Sequence, residues 1–118
     1  MYRNIFWAIL FVFSSLFAEE RADYIRSNFA KYEFQIPMRD GVELFTAVYV
    51  PYDREKEFPI LLRRTPYSIS PYGADKYAKY LGPTEEFEHE GFIFAFQDVR
   101  GAMMSEGEFI NMRPHLEN

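Results

Sequence analysis

An unbroken apolar run from Ile5 to Phe13 follows a short basic start, Met1-Tyr2-Arg3-Asn4. A smaller-residue exit, Ser14-Ser15-Leu16-Phe17-Ala18, comes next, and Glu19-Glu20-Arg21 restores charge abruptly. Basic, apolar and small-residue segments in this order make the layout of a secretory signal peptide. Residues 1–18 are therefore expected to be removed by cleavage after Ala18, and the remainder to be exported, either periplasmic or secreted. A bilayer span needs roughly 20 apolar residues, so no stable membrane span is expected once this segment is gone. Retention as an uncleaved anchor is the competing expectation, because Leu16 fits poorly two places before the cut.

Beyond Arg21 the pattern changes twice. Arg21 to Ala30 is mixed and predicts a helix, after which the period becomes two. Tyr32, Phe34, Ile36 and Met38 fall on one face of a strand; Val42, Leu44, Val48 and Val50 fall on one face of a second. Arg39-Asp40-Gly41 joins them, and Asp-Gly between alternating runs is a hairpin signal because Gly accepts a positive φ. Pro51 to Phe58 reads as a charged surface loop, and Pro59 to Arg64 as a short buried strand whose arginines emerge at its end. Thr65 to Gly73 is rich in Pro, Ser, Tyr and Gly, which is turn chemistry. Tyr77, Tyr80 and Leu81 stand at helical spacing within Ala74 to Leu81, ended by Gly82-Pro83. Thr84 is placed to cap a short helix, Glu85 to Glu90, with Gly91 at its exit. Phe92 to Phe96 is apolar on both faces and predicts an internal strand, closed by Gln97-Asp98-Val99-Arg100-Gly101.

The fold class is therefore α/β: an antiparallel hairpin, then strand–helix–strand, the opening of a mixed sheet. The sheet is expected to be incomplete, since two apolar strands need helices on both faces and the pattern supplies too few. Residues 19–118 read as an N-terminal fragment of a larger domain.

Composition narrows the function classes. The chain has 118 residues, 48% of them hydrophobic, with 13 Phe and 9 Tyr, too apolar and aromatic for a disordered tail. Net charge is −5 with Lys and Arg scattered among the acids, so nucleic acid is not an expected partner. Cysteine is absent, which removes disulfides, a lipid-anchored cysteine and any thiolate metal site.

Four segments carry a resemblance: Met38-Arg39-Asp40-Gly41-Val42-Glu43-Leu44, Arg64-Thr65-Pro66-Tyr67, Gln97-Asp98-Val99-Arg100-Gly101, and Ser105-Glu106-Gly107-Glu108-Phe109. In this order and spacing they resemble the α/β-hydrolase family that includes cocaine esterase, α-amino-acid ester hydrolases, glutaryl-cephalosporin acylases and X-Pro dipeptidyl-peptidases. Asn111-Met112-Arg113-Pro114 looks most like the ester-hydrolase branch. The resemblance runs from about Tyr32 to His115 and implies acyl transfer to a serine, then deacylation, with no metal or organic cofactor. The partner it implies is a small-molecule ester or amide, or a peptide, for an enzyme that when full-length could be a homo-oligomer. In that family the tyrosine of R-T-P-Y gives its hydroxyl to the oxyanion hole, a role that maps onto Tyr67; the plainer expectation is a loop tyrosine half-buried for packing.

The nucleophile, acid and base are not expected in this chain. Its serines, at 14, 15, 27, 68, 70 and 105, all lie outside the G-x-S-x-G elbow such enzymes use. Ser105 has Gly107 two places on but Met103 two places before, where a bulky residue should clash. His89 and His115 precede the expected serine, out of triad order; His89 reads as a helix-surface residue and His115 as a loop residue. Asp98 and Arg100 are expected to pair and shape the turn after their strand, with Gly101 serving a backbone need there. Glu85, Glu86, Glu88 and Glu90 read as a solvated helix face. The alternative to an enzyme fragment, presumed inactive alone, is a small exported binding module that kept the hydrolase start without its chemistry.

Overall fold

The computed structural model describes residues 3–110, with side chains from residue 16 onward; the segment Asn111 to Pro114 and His115 lie outside the described residues. Six elements follow in the order α1 (Arg3–Asn28), β1 (Phe29–Pro37), β2 (Glu43–Pro51), β3 (Ile60–Thr65), α2 (Glu85–Glu90) and β4 (Ile93–Asp98). The four strands form one mixed sheet in the order β1-β2-β4-β3. β1 and β2 are the expected antiparallel hairpin, from Phe29↔Pro51 to Pro37↔Glu43. Its turn closes with the Gly41 amide on Met38 O at 3.0 Å, and Gly41 takes the positive φ of 83° that the Asp-Gly pair implied. β4 lies against β2 antiparallel and against β3 parallel, so the apolar strand is internal, as its composition required.

Pairing divides the side chains into two faces. Phe29 and Lys31 of β1, Phe45, Ala47 and Tyr49 of β2, and Phe94 and Phe96 of β4 point into the core. Aromatic edges meet there: Phe29 with Phe94 at 5.9 Å, Tyr49 with Phe96 at 5.8 Å, Phe45 with Tyr72 at 5.5 Å between ring centroids. These separations suit the edge-to-face geometry that ring quadrupoles favour. The second face carries Tyr32, Phe34 and Ile36 beside Leu44 and Val48, so the alternation was read correctly, but this is the more exposed side of β1. A polar row crosses that face: Arg64 Nε donates to Gln97 Oε1 at 2.6 Å, and Gln97 Nε2 to Thr46 Oγ1 at 2.8 Å.

Three local expectations need correction. The helix expected over Arg21–Ala30 begins at Arg3 and ends at Asn28, because Phe29 turns into the core and Ala30 pairs with Val50. Asn28 closes the helix, its side-chain amide on Tyr24 O at 2.9 Å. The helix expected over Ala74–Leu81 does not form. Backbone groups within it are taken by other elements: Lys31 Nζ binds Lys76 O, along with Pro71 O and Gly73 O just before the stretch, and the Tyr49 hydroxyl accepts the Ala78 amide. The strand at Ile60 is an edge, with Ile60 64% and Leu62 56% exposed rather than buried.

α2 shows a fourth difference. Thr84 stands at its N-cap in extended geometry, yet its hydroxyl caps no first-turn amide. Glu88 is buried instead of solvated, accepting the Leu81 amide at 2.6 Å and the Gly82 amide at 3.1 Å. Arg21 of α1 completes this site through Nε at 2.9 Å and a second nitrogen at 2.7 Å. Residues 19–28 are thereby docked on the domain, with Ala22 buried and Ile25 part of the core cluster. Among the described residues, no helix is long and apolar enough to cross a membrane.

Replacing Phe94 by Ala should cost about 3–5 kcal/mol in denaturant unfolding, the range for a buried aromatic. Leu62→Ser, on the exposed edge, should stay within about 0.5 kcal/mol of the parent.

Candidate functional site

β3 and β4 run parallel, so their carboxyl ends emerge together, with Thr65 opposite Asp98. The crevice beyond the carboxyl ends of parallel strands is where open α/β sheets bind ligands. Two loops leave from this point: residues 66–84, after β3, and residues 99–110, after β4. Tyr67 stands on the first loop, 83% exposed, so the half-buried packing role is not what the structure shows. Its backbone amide donates to Thr65 Oγ1 at 3.0 Å, a tight turn directly after the strand. The next residue, Ser68, has φ 38°, a left-handed conformation in a non-glycine residue. Such backbone strain costs of order 1–3 kcal/mol and persists only where the surroundings determine it.

Asp98 supplies part of those surroundings. It is fully buried, and its Oδ1 accepts the Ile69 amide at 3.2 Å. Its Oδ2 accepts the Tyr72 hydroxyl at 3.0 Å and the Met104 amide at 3.3 Å. Burial first, and the Asp98 carboxylate with it, raise the Tyr72 phenol above its ordinary pKa, while Ser68 opposes the shift. Asp98 and Arg100 do not pair. Arg100 reaches back to the hairpin turn and holds Asp40 by two bonds, 2.8 and 3.2 Å, which keeps the exposed Asp40 carboxyl below its usual pKa. Asp98 is thus satisfied by amides and a phenol, because the strand points it inward while Arg100 lies two residues into the turn.

The loop after β4 folds back on the hairpin. Ser105 Oγ donates to Asp98 O at 2.6 Å and accepts the Phe45 amide at 2.9 Å, so this hydroxyl ties β4 to β2. Gly101 (φ 72°) meets the need foreseen for it: a Cβ there would lie 2.0 Å from Phe109 N. His89, exposed on the last turn of α2, meets the Tyr24 ring at a tilt of 42° with centroids 4.0 Å apart. Among the described residues, no cluster of His, Asp and Glu is arranged to hold a metal ion.

Lys31 is the feature sequence reasoning passed over. Its ammonium is buried, with Pro71 O at 2.6 Å, Lys76 O at 2.8 Å, Gly73 O at 2.9 Å and Glu33 Oε1 at 3.1 Å. Glu33 in turn accepts the Gly73 amide at 2.6 Å. A charge this deep needs full coordination, and the loop carbonyls provide it. A Lys and a Glu two residues apart share one strand face, the one signal the alternation offered. Beside this loop lies a cleft of about 400 Å³, lined by Ile69, Pro71, Tyr77, Tyr80, Arg63 and Phe96. Arg63 lies over the Phe96 ring at 4.7 Å, a cation–π contact on the cleft wall.

Tyr49 links cleft and sheet, and burial pushes its phenol up to about 12, against the Ala78 amide's opposing effect. Because the unfolded chain ionises this phenol near 10, protons leave the unfolded state first and stability falls as pH rises from about 10 to about 12. The slope contributed should reach at most about 1.4 kcal/mol per pH unit. Chemical unfolding of Tyr49→Phe across that range should show a shallower fall than the parent.

Comparisons with known proteins place this geometry in context. The family model described as X-Pro dipeptidyl-peptidase (S15 family) matches residues 40–117. Cocaine esterase from Rhodococcus sp. (strain MB1 Bresler) is 38% identical over 88 residues, covering 70% of this chain and 13% of the esterase. A solved α-amino acid ester hydrolase is 38% identical with a TM-score of 0.60, covering 70% of this chain and 14% of that one. A solved aminopeptidase from a marine sediment archaeon, Thaumarchaeota archaeon, is 31% identical with a TM-score of 0.58, covering 75% of this chain and 15% of that one. The matched part of the chain therefore spans only about one seventh of the length of each of these three relatives.

Proposed function

The chain belongs to the X-Pro dipeptidyl-peptidase (S15) family of hydrolases, and from that membership we propose that it is the N-terminal piece of an exported serine hydrolase acting on esters or amides. One observation carries the reading: Tyr67, the tyrosine of Arg64-Thr65-Pro66-Tyr67, stands exposed at the joint carboxyl ends of β3 and β4, on a loop with a strained backbone. A phenol O–H held there is placed to receive a hydrogen bond acceptor that gains charge during acyl transfer. In this reading Tyr67 is the oxyanion donor, and the serine, acid and base belong to sequence outside this chain. Ser105 supports that division, its hydroxyl being committed to Asp98 O and the Phe45 amide. The cleft walled by aromatics and Arg63 belongs to the same end of the sheet and suits a small acyl or peptide substrate; no nucleic-acid partner is proposed.

A chimaera tests the chemistry. Residues 29–110 replace the matching segment of the Rhodococcus cocaine esterase, and ester hydrolysis is followed with fluorophosphonate labelling of the active serine. Activity should be retained, and Tyr67→Phe should lower kcat by about 10²–10³-fold, as for other single oxyanion donors, without preventing folding. Full activity in a folded Tyr67→Phe chimaera would remove Tyr67 from the reaction.

Export is part of the same proposal. It rests on the basic, apolar and small-residue order of residues 1–18. Mass spectrometry of the chain expressed with its N-terminus in a Gram-negative host should find a product beginning at Glu19 outside the cytoplasm. An intact Met1 product confined to the cytoplasm or the membrane would count against it.

A further inference from the structure

Two non-glycine residues among those described have positive φ: Ser68 at 38° and Met103 at 48°. They lie on different loops, 35 positions apart in sequence by their numbers, with no shared local motif. Each directly precedes a residue whose amide donates to Asp98. Ile69, after Ser68, binds Oδ1 at 3.2 Å, and Met104, after Met103, binds Oδ2 at 3.3 Å. A left-handed residue turns the following N–H out of the direction an extended chain would give it. In both loops that turned amide meets the same carboxylate.

Ser68 is held a second way. Tyr72 spends its single proton on Asp98 Oδ2 at 3.0 Å, so the 3.1 Å bond between Ser68 Oγ and the Tyr72 hydroxyl has Ser68 as donor. Ser68 Oγ also accepts the Ser70 amide at 3.1 Å, closing a small ring of bonds. Asp98 therefore acts on Ser68 through its following amide and, by way of Tyr72, through its side chain. Asp98 itself cannot retreat, being fully buried with its backbone paired in β4 opposite Thr65.

We propose that Asp98 is a positioning residue: it sustains the left-handed turns at Ser68 and Met103 together, and through Ser68 it sets the direction in which Tyr67 is presented. The proposal rests on the reading of Tyr67 as the oxyanion donor. It adds that the loops after β3 and β4 share one anchor, so the donor's placement depends on the loop from Val99 to Gly107. Tyr67 touches the reacting atoms in that reading, whereas Asp98 acts only through Ser68 and Ile69.

NMR on the whole chain tests this without any turnover. Three-bond amide–Hα couplings and backbone shifts report φ at Ser68 and Met103, and amide exchange reports the bonds of Ile69 and Met104. In Asp98→Ala, which removes both acceptor oxygens, both residues should leave the positive-φ region, and both amides should exchange at least about tenfold faster relative to the core strands. Tyr72→Phe should disturb Ser68 and Ile69 and leave Met103 and Met104 as they are. Phe94→Leu, which lowers overall stability from the far side of the core, should move neither φ. A positive φ kept at Ser68 in folded Asp98→Ala, or a response confined to one loop, overturns the proposal. Should Asp98→Ala fail to fold, an unchanged Ser68 in Tyr72→Phe overturns it equally. An unaffected Tyr67→Phe chimaera with these NMR changes present would refute the oxyanion role alone, so the two failures are separable.

Discussion

A carboxylate buried without a cation has to be met by dipoles, and Asp98 imposes that demand at the point where β3 and β4 end side by side. Among the described residues no Lys or Arg pairs with it; three donors from two loops do so instead. Loops that must deliver amides to one inward point lose freedom to follow their own propensities. Ser68 and Met103 adopt strained φ values next to the delivered amides, and Ile69 is drawn into the core beside them. The exposed Tyr67 is consequently mounted on a rigid base although its own ring touches little.

Lys31 imposes the complementary demand from β1. Its ammonium collects three carbonyls from Pro71 to Lys76, and Glu33 collects the Gly73 amide. The loop after β3 is thus gripped by an anion at its start and a cation at its middle, each buried and each contributed by a strand. Backbone groups committed to these charges are unavailable to an i→i−4 ladder, and that is why a stretch with helical spacing stays irregular. Among the described residues every buried side-chain nitrogen or oxygen has a partner, so the arrangement is complete on its own terms.

The two sheet faces differ in kind. The face toward α1 and the loops is closed by interlocking aromatics, while the other shows Tyr32, Phe34, Ile60 and Leu62 to solvent. Relatives about seven times longer than the matched segment share it, and what the chain holds in common with them is this corner of the sheet and its loops. Membership in the hydrolase family follows from residues 40–117, and the chemistry proposed for it converges on the same strand ends.

Much of this was legible beforehand. Period-two alternation and Asp-Gly determined the hairpin, and apolarity on both faces of Phe92 to Phe96 determined an internal strand. The order of four short motifs determined the family and singled out Tyr67. These are local properties: alternation, turn chemistry and spacing are carried by neighbours in the chain. What only the tertiary structure decided is where charge goes when it is buried. The partners of Lys31, Glu88 and Asp98 come from 6 to 67 positions away for Glu88, from up to 45 for Lys31, and from 6 to 29 for Asp98. No periodicity announces them. Arg100 sits two residues from Asp98 and still pairs with Asp40 across the hairpin turn, because direction of the side chain, not nearness in sequence, chooses the partner. The sequence by itself determined which strands form; the folded chain decided what holds the loop that carries Tyr67, since buried charges are satisfied in space.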